Sequence, residues 1–346
     1  MLRWTGIAAV VTAMAVAAAG CGGDDDGSAS GTTTAATTGG TPQLKVGLIT
    51  DVGQLDDNGF NELAYKGLKR AQTELGIKGR VVESNSAADY VPNMAALVRQ
   101  GYDLIIGVGF AQGDAVDKAA IRFPEAKFAI VDVDQASLKH TPANVEGLLF
   151  KEQEVGYLVG YLAALSAKRD GSNEVSAVGG FKEPPVDRYI AGYRAGAEKA
   201  VPGTKVTWSY SSDWDDQAKC KELALNQIAA GSKVVFQVAG GCGLGALNAA
   251  KERGVWGIGV DADQSFLGPH VLTSALKGVD EAVFQTIQSA QEGNFAGGGN
   301  ATFGLDRDGV GLGTVSPKAS KADIAKLDAI EQQLADGEIS GIPTKL

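Results

Sequence analysis

The chain has 346 residues, 44% hydrophobic and 21% charged, a length that suggests two domains and a composition that excludes global disorder. With 31 basic against 41 acidic residues the net charge is −10, which argues against broad binding to nucleic-acid phosphates. Two histidines (His140, His270) and three cysteines (Cys21, Cys220, Cys242) are too few and too scattered for a structural zinc site.

Residues 1–20, MLRWTGIAAVVTAMAVAAAG, set one arginine ahead of an apolar run of small residues. That is the layout of a secretory signal. Its end, Ala18-Ala19-Gly20 before Cys21, resembles a bacterial lipoprotein signal, in which Cys21 would receive the lipid. Residues 22–43 are Gly, Ser, Thr, Ala and Asp with almost nothing to bury. They read as a flexible tether that joins Cys21 to the folded part and reaches about 25 Å. The folded part then starts near Leu44, lipid-anchored on the extracytoplasmic face of a cell membrane. In an oxidising compartment Cys220 and Cys242 either bridge or stay as two buried thiols, and the bridge is favoured.

From Lys45 onward, short apolar runs alternate with amphipathic stretches. Strands are expected at 45–50, 80–84, 102–108 and 128–133, and again at 175–179, 205–210, 233–238 and 255–260. The runs are continuous rather than alternating, so the strands are covered on both faces, as in parallel sheets. Helical periodicity marks 60–75, 188–200, 218–230 and 244–252, with a further helix at 320–336. Two such arrays predict an α/β protein with two doubly wound lobes. Ligands in such sheets bind outside the carboxyl ends of the strands, which places a site in the cleft between lobes. The expected division gives 44–149 and about 262–295 to an N-terminal lobe, and 150–261 and about 296–346 to a C-terminal lobe.

No G-x-x-x-x-G-K-[ST] phosphate loop, G-x-S-x-G elbow or H-E-x-x-H zinc motif is present. The stretch Gly240–Gly245 (GGCGLG) follows a strand but lacks dinucleotide-fingerprint spacing, and reads as a tight turn bringing backbone close to a ligand or to the other lobe. Carboxylates gather after strands: Asp51, Asp56 and Asp57; Asp132 and Asp134; Asp261 and Asp263. Such groups cap turns, work as acid/base couples, or accept from a small molecule rich in hydrogen-bond donors.

The segment Thr50–Glu62, TDVGQLDDNGFNE, resembles the T-D-x-G-x-x-[ND]-D-x-x-F-N motif of the basic membrane protein (BMP) family, PnrA-like nucleoside-binding lipoproteins of ABC importers. ESNSAADY at 83–90, NVEGLLFKEQEVGY at 144–157, YIAGYRAG at 189–196, VAGGCG at 238–243 and GIGVDADQ at 257–264 are similar to family segments in the same order. The resemblance implies a two-lobe type I periplasmic-binding-protein-like fold that closes on its ligand. It assigns Asp51, Phe60 and Asp132 to contacts with a base, and Asn61 to the same ligand-binding set. Trp214 falls on the opposing aromatic, usually Phe in the family, and Gly240, Asp261 and Lys277 on ribose-contacting positions. Lys277 is expected beside Asp261, offsetting its charge.

The function so implied is capture of a nucleoside, purine by expectation, by a monomer that delivers it to an ABC permease without cofactor, metal or catalysis. The rival readings are a nucleoside-cleaving enzyme and a ligand sensor without transport. Cys220 and Cys242 depart from the family pattern; a bridge there would preorganise the second lobe.

Overall fold

The computed structural model describes residues 43–52 and 55–346. The signal segment, Cys21 and the tether up to residue 42 lie outside the described residues.

The strands in chain order are β1 (Lys45–Val52), β2 (Lys78–Ser84), β3 (Leu104–Gly107), β4 (Lys127–Val131) and β5 (Val145–Phe150). Then come β6 (Glu174–Gly179), β7 (Lys205–Tyr210), β8 (Val234–Val238), β9 (Trp256–Asp261) and β10 (Val271–Lys277), and two short strands, β11 (Gly299–Phe303) and β12 (Val310–Leu312). They form two sheets, ordered β2-β1-β3-β4-β5-β11 and β7-β6-β8-β9-β10-β12. The pairing is parallel except for β12, which runs antiparallel to β10. Between the strands lie α1 (Phe60–Glu74), α2 (Tyr90–Arg99), α3 (Gly113–Arg122), α4 (Glu152–Arg169), α5 (Pro184–Ala200), α6 (Gln217–Ala229), α7 (Gly240–Arg253), α8 (Val279–Gln291) and α9 (Lys321–Ala335).

Each sheet is one lobe, and the expected division needs correction in two places. Val271–Lys277 was assigned to the first lobe but pairs along β9 in the second sheet. Gly299–Phe303 was assigned to the second lobe but pairs along β5 in the first. The reason is edge pairing: β9 and β5 would otherwise expose a row of unpaired backbone groups. Helix α8 does sit on the first lobe, close enough to α1 that a Cβ on Gly67 would strike the Asp280 backbone.

The chain therefore passes between lobes after β5, after β10 and between β11 and β12. These three crossings are stitched together. The Lys151 amide donates to the Phe303 carbonyl (2.9 Å) and the Gly278 amide to the Gly309 carbonyl (2.8 Å).

Helix α4 has 18 residues, twelve of them buried, so it lies within the second lobe rather than on its surface. Gly156 and Gly160 share one of its faces, four residues apart, as do Gly192 and Gly196 on α5. A Cβ on the first two would strike the carbonyls of Tyr189 and Tyr193; on the second two, those of Gln153 and Tyr157. The two backbones thus meet at a distance only glycine permits. Gly160→Ala is expected to destabilise the fold by about 1–3 kcal/mol. An unchanged urea midpoint would show that the helices can part freely.

Candidate functional site

At the carboxyl end of β1, the buried Asp51 carboxylate accepts from the Tyr90 hydroxyl on α2 and from the Val52 amide. Its own amide donates to Asn61 Oδ1 at 3.1 Å, so Asn61 fixes the backbone that aims Asp51. The loop after β3 comes so close that a Cβ on Gly109 (φ 108°) would land on Asp51 Oδ2. Burial pushes the Asp51 carboxyl above its ordinary range, against the opposing pull of the Tyr90 bond.

The other strand-end carboxylates divide by role. Asp57 accepts from the amides of Gly59, Asn61 and Glu62 and so caps the start of α1, although it also borders the cleft. Asp134 holds the Ala136 amide and the Asn300 side chain. Asp263 holds the Ser265 amide and Thr314. Asp132 and Asp261, by contrast, open into the cleft, each at a strand's carboxyl end in left-handed backbone (φ 71° and 63°). One stands in each lobe. Non-glycine residues held there store strain of about 1–3 kcal/mol, and such positions gather at functional sites.

Lys277 ends β10, and its ammonium donates to both oxygens of Asp132 (2.6 and 2.7 Å), binding the second lobe to the first. It also lies 3.0 Å from Glu152 Oε1, while Arg188 Nε reaches Glu152 Oε2 at 2.6 Å. The four charges alternate, Asp132–Lys277–Glu152–Arg188, running from the cleft-lining Asp132 and Lys277 to Glu152 on α4 and Arg188 on α5. Burial disfavours the ammonium, but Asp132 and Glu152 outweigh it and hold Lys277 above its usual value. The ammonium also lies 5.1 Å from the centre of the Phe60 ring and 4.8 Å from that of Phe150.

Lys277 lies buried near Asp261 and offsets its charge, as expected, but its direct bonds go elsewhere. Lys277 bonds Asp132 and Glu152, and the nearer partner of Asp261 is the Tyr189 hydroxyl at 3.4 Å. Burial pushes Asp261 up to about 7, with Lys277 opposing through its field.

On the second lobe, Trp214 lies flat enough on Gly180 that a Cβ there would enter the indole. Phe181 flanks it at 5.4 Å, tilted by 49°. The surrounding acids build the turn: Asp213 accepts from the amides of Asp215 and Asp216, and Asp216 caps α6. Gly240 begins α7 in left-handed backbone (φ 54°). The stretch Gly240–Gly245, expected as a turn, forms the first turns of that helix instead. There Gly243 makes room for Gln237 and Gly245 for the Gln217 carbonyl. Cys242 is disulfide-bonded to Cys220 on α6, and its amide donates to the Trp214 carbonyl at 2.7 Å.

All eight sequence-derived candidates, Asp51, Phe60, Asn61, Asp132, Trp214, Gly240, Asp261 and Lys277, line one cleft. Sequence reasoning missed Phe110, Glu183, Tyr189 and Asp215, which line it too. The signals were faint: Phe110 ends a glycine-interrupted run, and Glu183 precedes two prolines. Among the described residues six carboxyl groups but one ammonium border the cavity, so it suits a ligand that brings hydrogen-bond donors.

Two parallel sheets facing each other across a cleft define a two-lobe solute-binding protein of the periplasmic-binding-protein class. Residues 44–343 match the family model described as ABC transporter substrate-binding protein PnrA-like. The chain belongs to that family. It is 36% identical over 324 residues to the CD4+ T-cell-stimulating antigen of Listeria monocytogenes, covering 87% of this chain and 88% of that protein. It is 34% identical over 327 residues to the ABC transporter nucleoside-binding protein BmpA of Lactococcus lactis, covering 87% and 90%. Among solved structures, an ABC transporter solute-binding protein of Aeropyrum pernix K1 superposes with a TM-score of 0.77 at 31% identity, covering 87% and 94%.

Proposed function

We propose that this chain is a lipid-anchored extracytoplasmic receptor that captures a nucleoside, purine by expectation, and delivers it to an ABC permease. The observation that carries the reading is the pairing of Phe60 from the first lobe with Trp214 from the second across a carboxylate-rich cavity. Two aromatic faces suit a flat base, and the carboxyl groups suit base N–H edges and ribose hydroxyls. The Lactococcus relative's name, nucleoside-binding, points the same way. Capture proceeds by closure of the lobes about the stitched crossings.

The test is titration calorimetry on the purified chain, unfolded and refolded to strip carried-over ligand, against nucleosides, free bases, pentoses and nucleotides. One nucleoside class is expected to bind tightly. Trp214→Ala is expected to weaken that binding by about 1–3 kcal/mol, the worth of one stacked base. Heatless titrations with every nucleoside, from a folded protein, would move the ligand outside this class. Release of free base from a nucleoside would revive the enzyme.

A further inference from the structure

Glu183 precedes α5 in extended backbone, where a short acidic or hydroxyl side chain would normally cap the helix. The next two residues, Pro184 and Pro185, have no N–H to offer. Its carboxylate caps nothing, and among the described residues it has no hydrogen bond or ion pair. It lines the cleft instead, facing Asp51 and Asp132 of the first lobe. Of these two, Asp132 is ion-paired to Lys277. Toward Asp51 the facing groups are Glu183 and Asp215, with no cation bonded to either among the described residues.

We propose that Glu183 is a specificity-determining residue that reads the N–H edge of the bound base from the second lobe. This rests on the nucleoside reading above. An ionised carboxylate only accepts, so it matches two adjacent donors, a ring N–H beside an amino group, as on guanine. A protonated carboxyl both donates and accepts, so it matches an amino group beside a bare ring nitrogen, as on adenine. Burial, with Asp51 and Asp132 nearby, pushes Glu183 up to about 7, while Lys277 pulls the other way. Lys182, Asp187, Arg188 and Lys345 border it on the outer side. Glu183 is thus neutral below that value and ionised above it, so rising pH shifts preference from the adenine to the guanine pattern.

The experiment measures guanosine and adenosine affinities of the stripped chain from pH 5.5 to 8, for the wild type and for Glu183→Gln. In the wild type the guanosine-to-adenosine affinity ratio is expected to rise at least tenfold across that range. In Glu183→Gln guanosine binding falls at least tenfold at pH 8 and the ratio becomes flat. Asp261 titrates in the same range but is retained in the variant, so flattening isolates Glu183. A flat wild-type ratio overturns the proposal without reference to any variant's folding. So does a Glu183→Gln protein that keeps the wild-type ranking and pH profile. Failure of both nucleosides to bind the wild type would overturn the proposal together with the purine expectation, leaving the wider nucleoside panel to decide the underlying reading.

Discussion

Lys277→Met is expected to destabilise the protein by about 3–5 kcal/mol, because it strips two buried carboxylates of the cation between them. Asp132 and Glu152 are both buried, and Lys277 bonds both. Arg188 still serves Glu152 in the variant, so the uncompensated charge falls mainly on Asp132. The double change Lys277→Met/Asp132→Asn should therefore recover much of the loss. An orphaned buried carboxylate binds protons more readily folded than unfolded, so the single variant should gain stability as pH falls. Urea unfolding at several pH values reads all three effects. A midpoint within about 0.5 kcal/mol of the wild type would show that the interlobe ion pair holds nothing together.

Removal of the disulfide is the second large effect. Cys220 and Cys242 are 22 positions apart, and a loop of that length is worth about 3 kcal/mol in unfolded-chain entropy. Cys220→Ala/Cys242→Ala should lower stability by that amount. Binding should suffer too: the Cys242 amide holds the Trp214 carbonyl, so freeing α7 from α6 loosens the aromatic wall before ligand arrives. Urea midpoints and ligand affinity, each with and without reductant, check this. Loss of stability with unchanged affinity would confine the bridge to a role in folding.

The sheets were readable where burial on both faces writes a largely apolar run, as in β1, β4, β6 and β8. Two of the longer strands were not. In β5 the run is interrupted by Glu146 and Gly147, and in β10 by Thr273, Ser274 and Lys277, all drawn into the interior by tertiary contacts. Without β10, the return of the chain to the first lobe was placed too early. Short glycine-rich strands such as β11 carry no sign of which sheet they join. The site fared similarly. Composition could gather aspartates at strand ends but could not separate Asp134 and Asp263, consumed by local turns, from Asp132 and Asp261, turned to the cleft. The family resemblance made that distinction for the candidates it covered. It was silent on Glu183, whose freedom comes from two prolines after it, and on the bonds Lys277 makes to Asp132 and Glu152. Which acid meets a buried lysine depends on how the lobes sit together, and no local pattern encodes that.

The three crossings have a consequence for anyone recombining this protein with a relative. Neither lobe is an uninterrupted stretch of gene. A piece ending at Phe150 lacks the edge strand β11 and helix α8 of its own lobe, and the complementary piece carries both with no sheet to receive them. Swapping one lobe as a cassette thus needs simultaneous junctions near residues 150, 278 and 304–309, and each junction falls where crossings are hydrogen-bonded to one another. A chimera joined at one point would inherit two half-built sheets, so compatible parents must agree at the crossings before they can differ in the cleft.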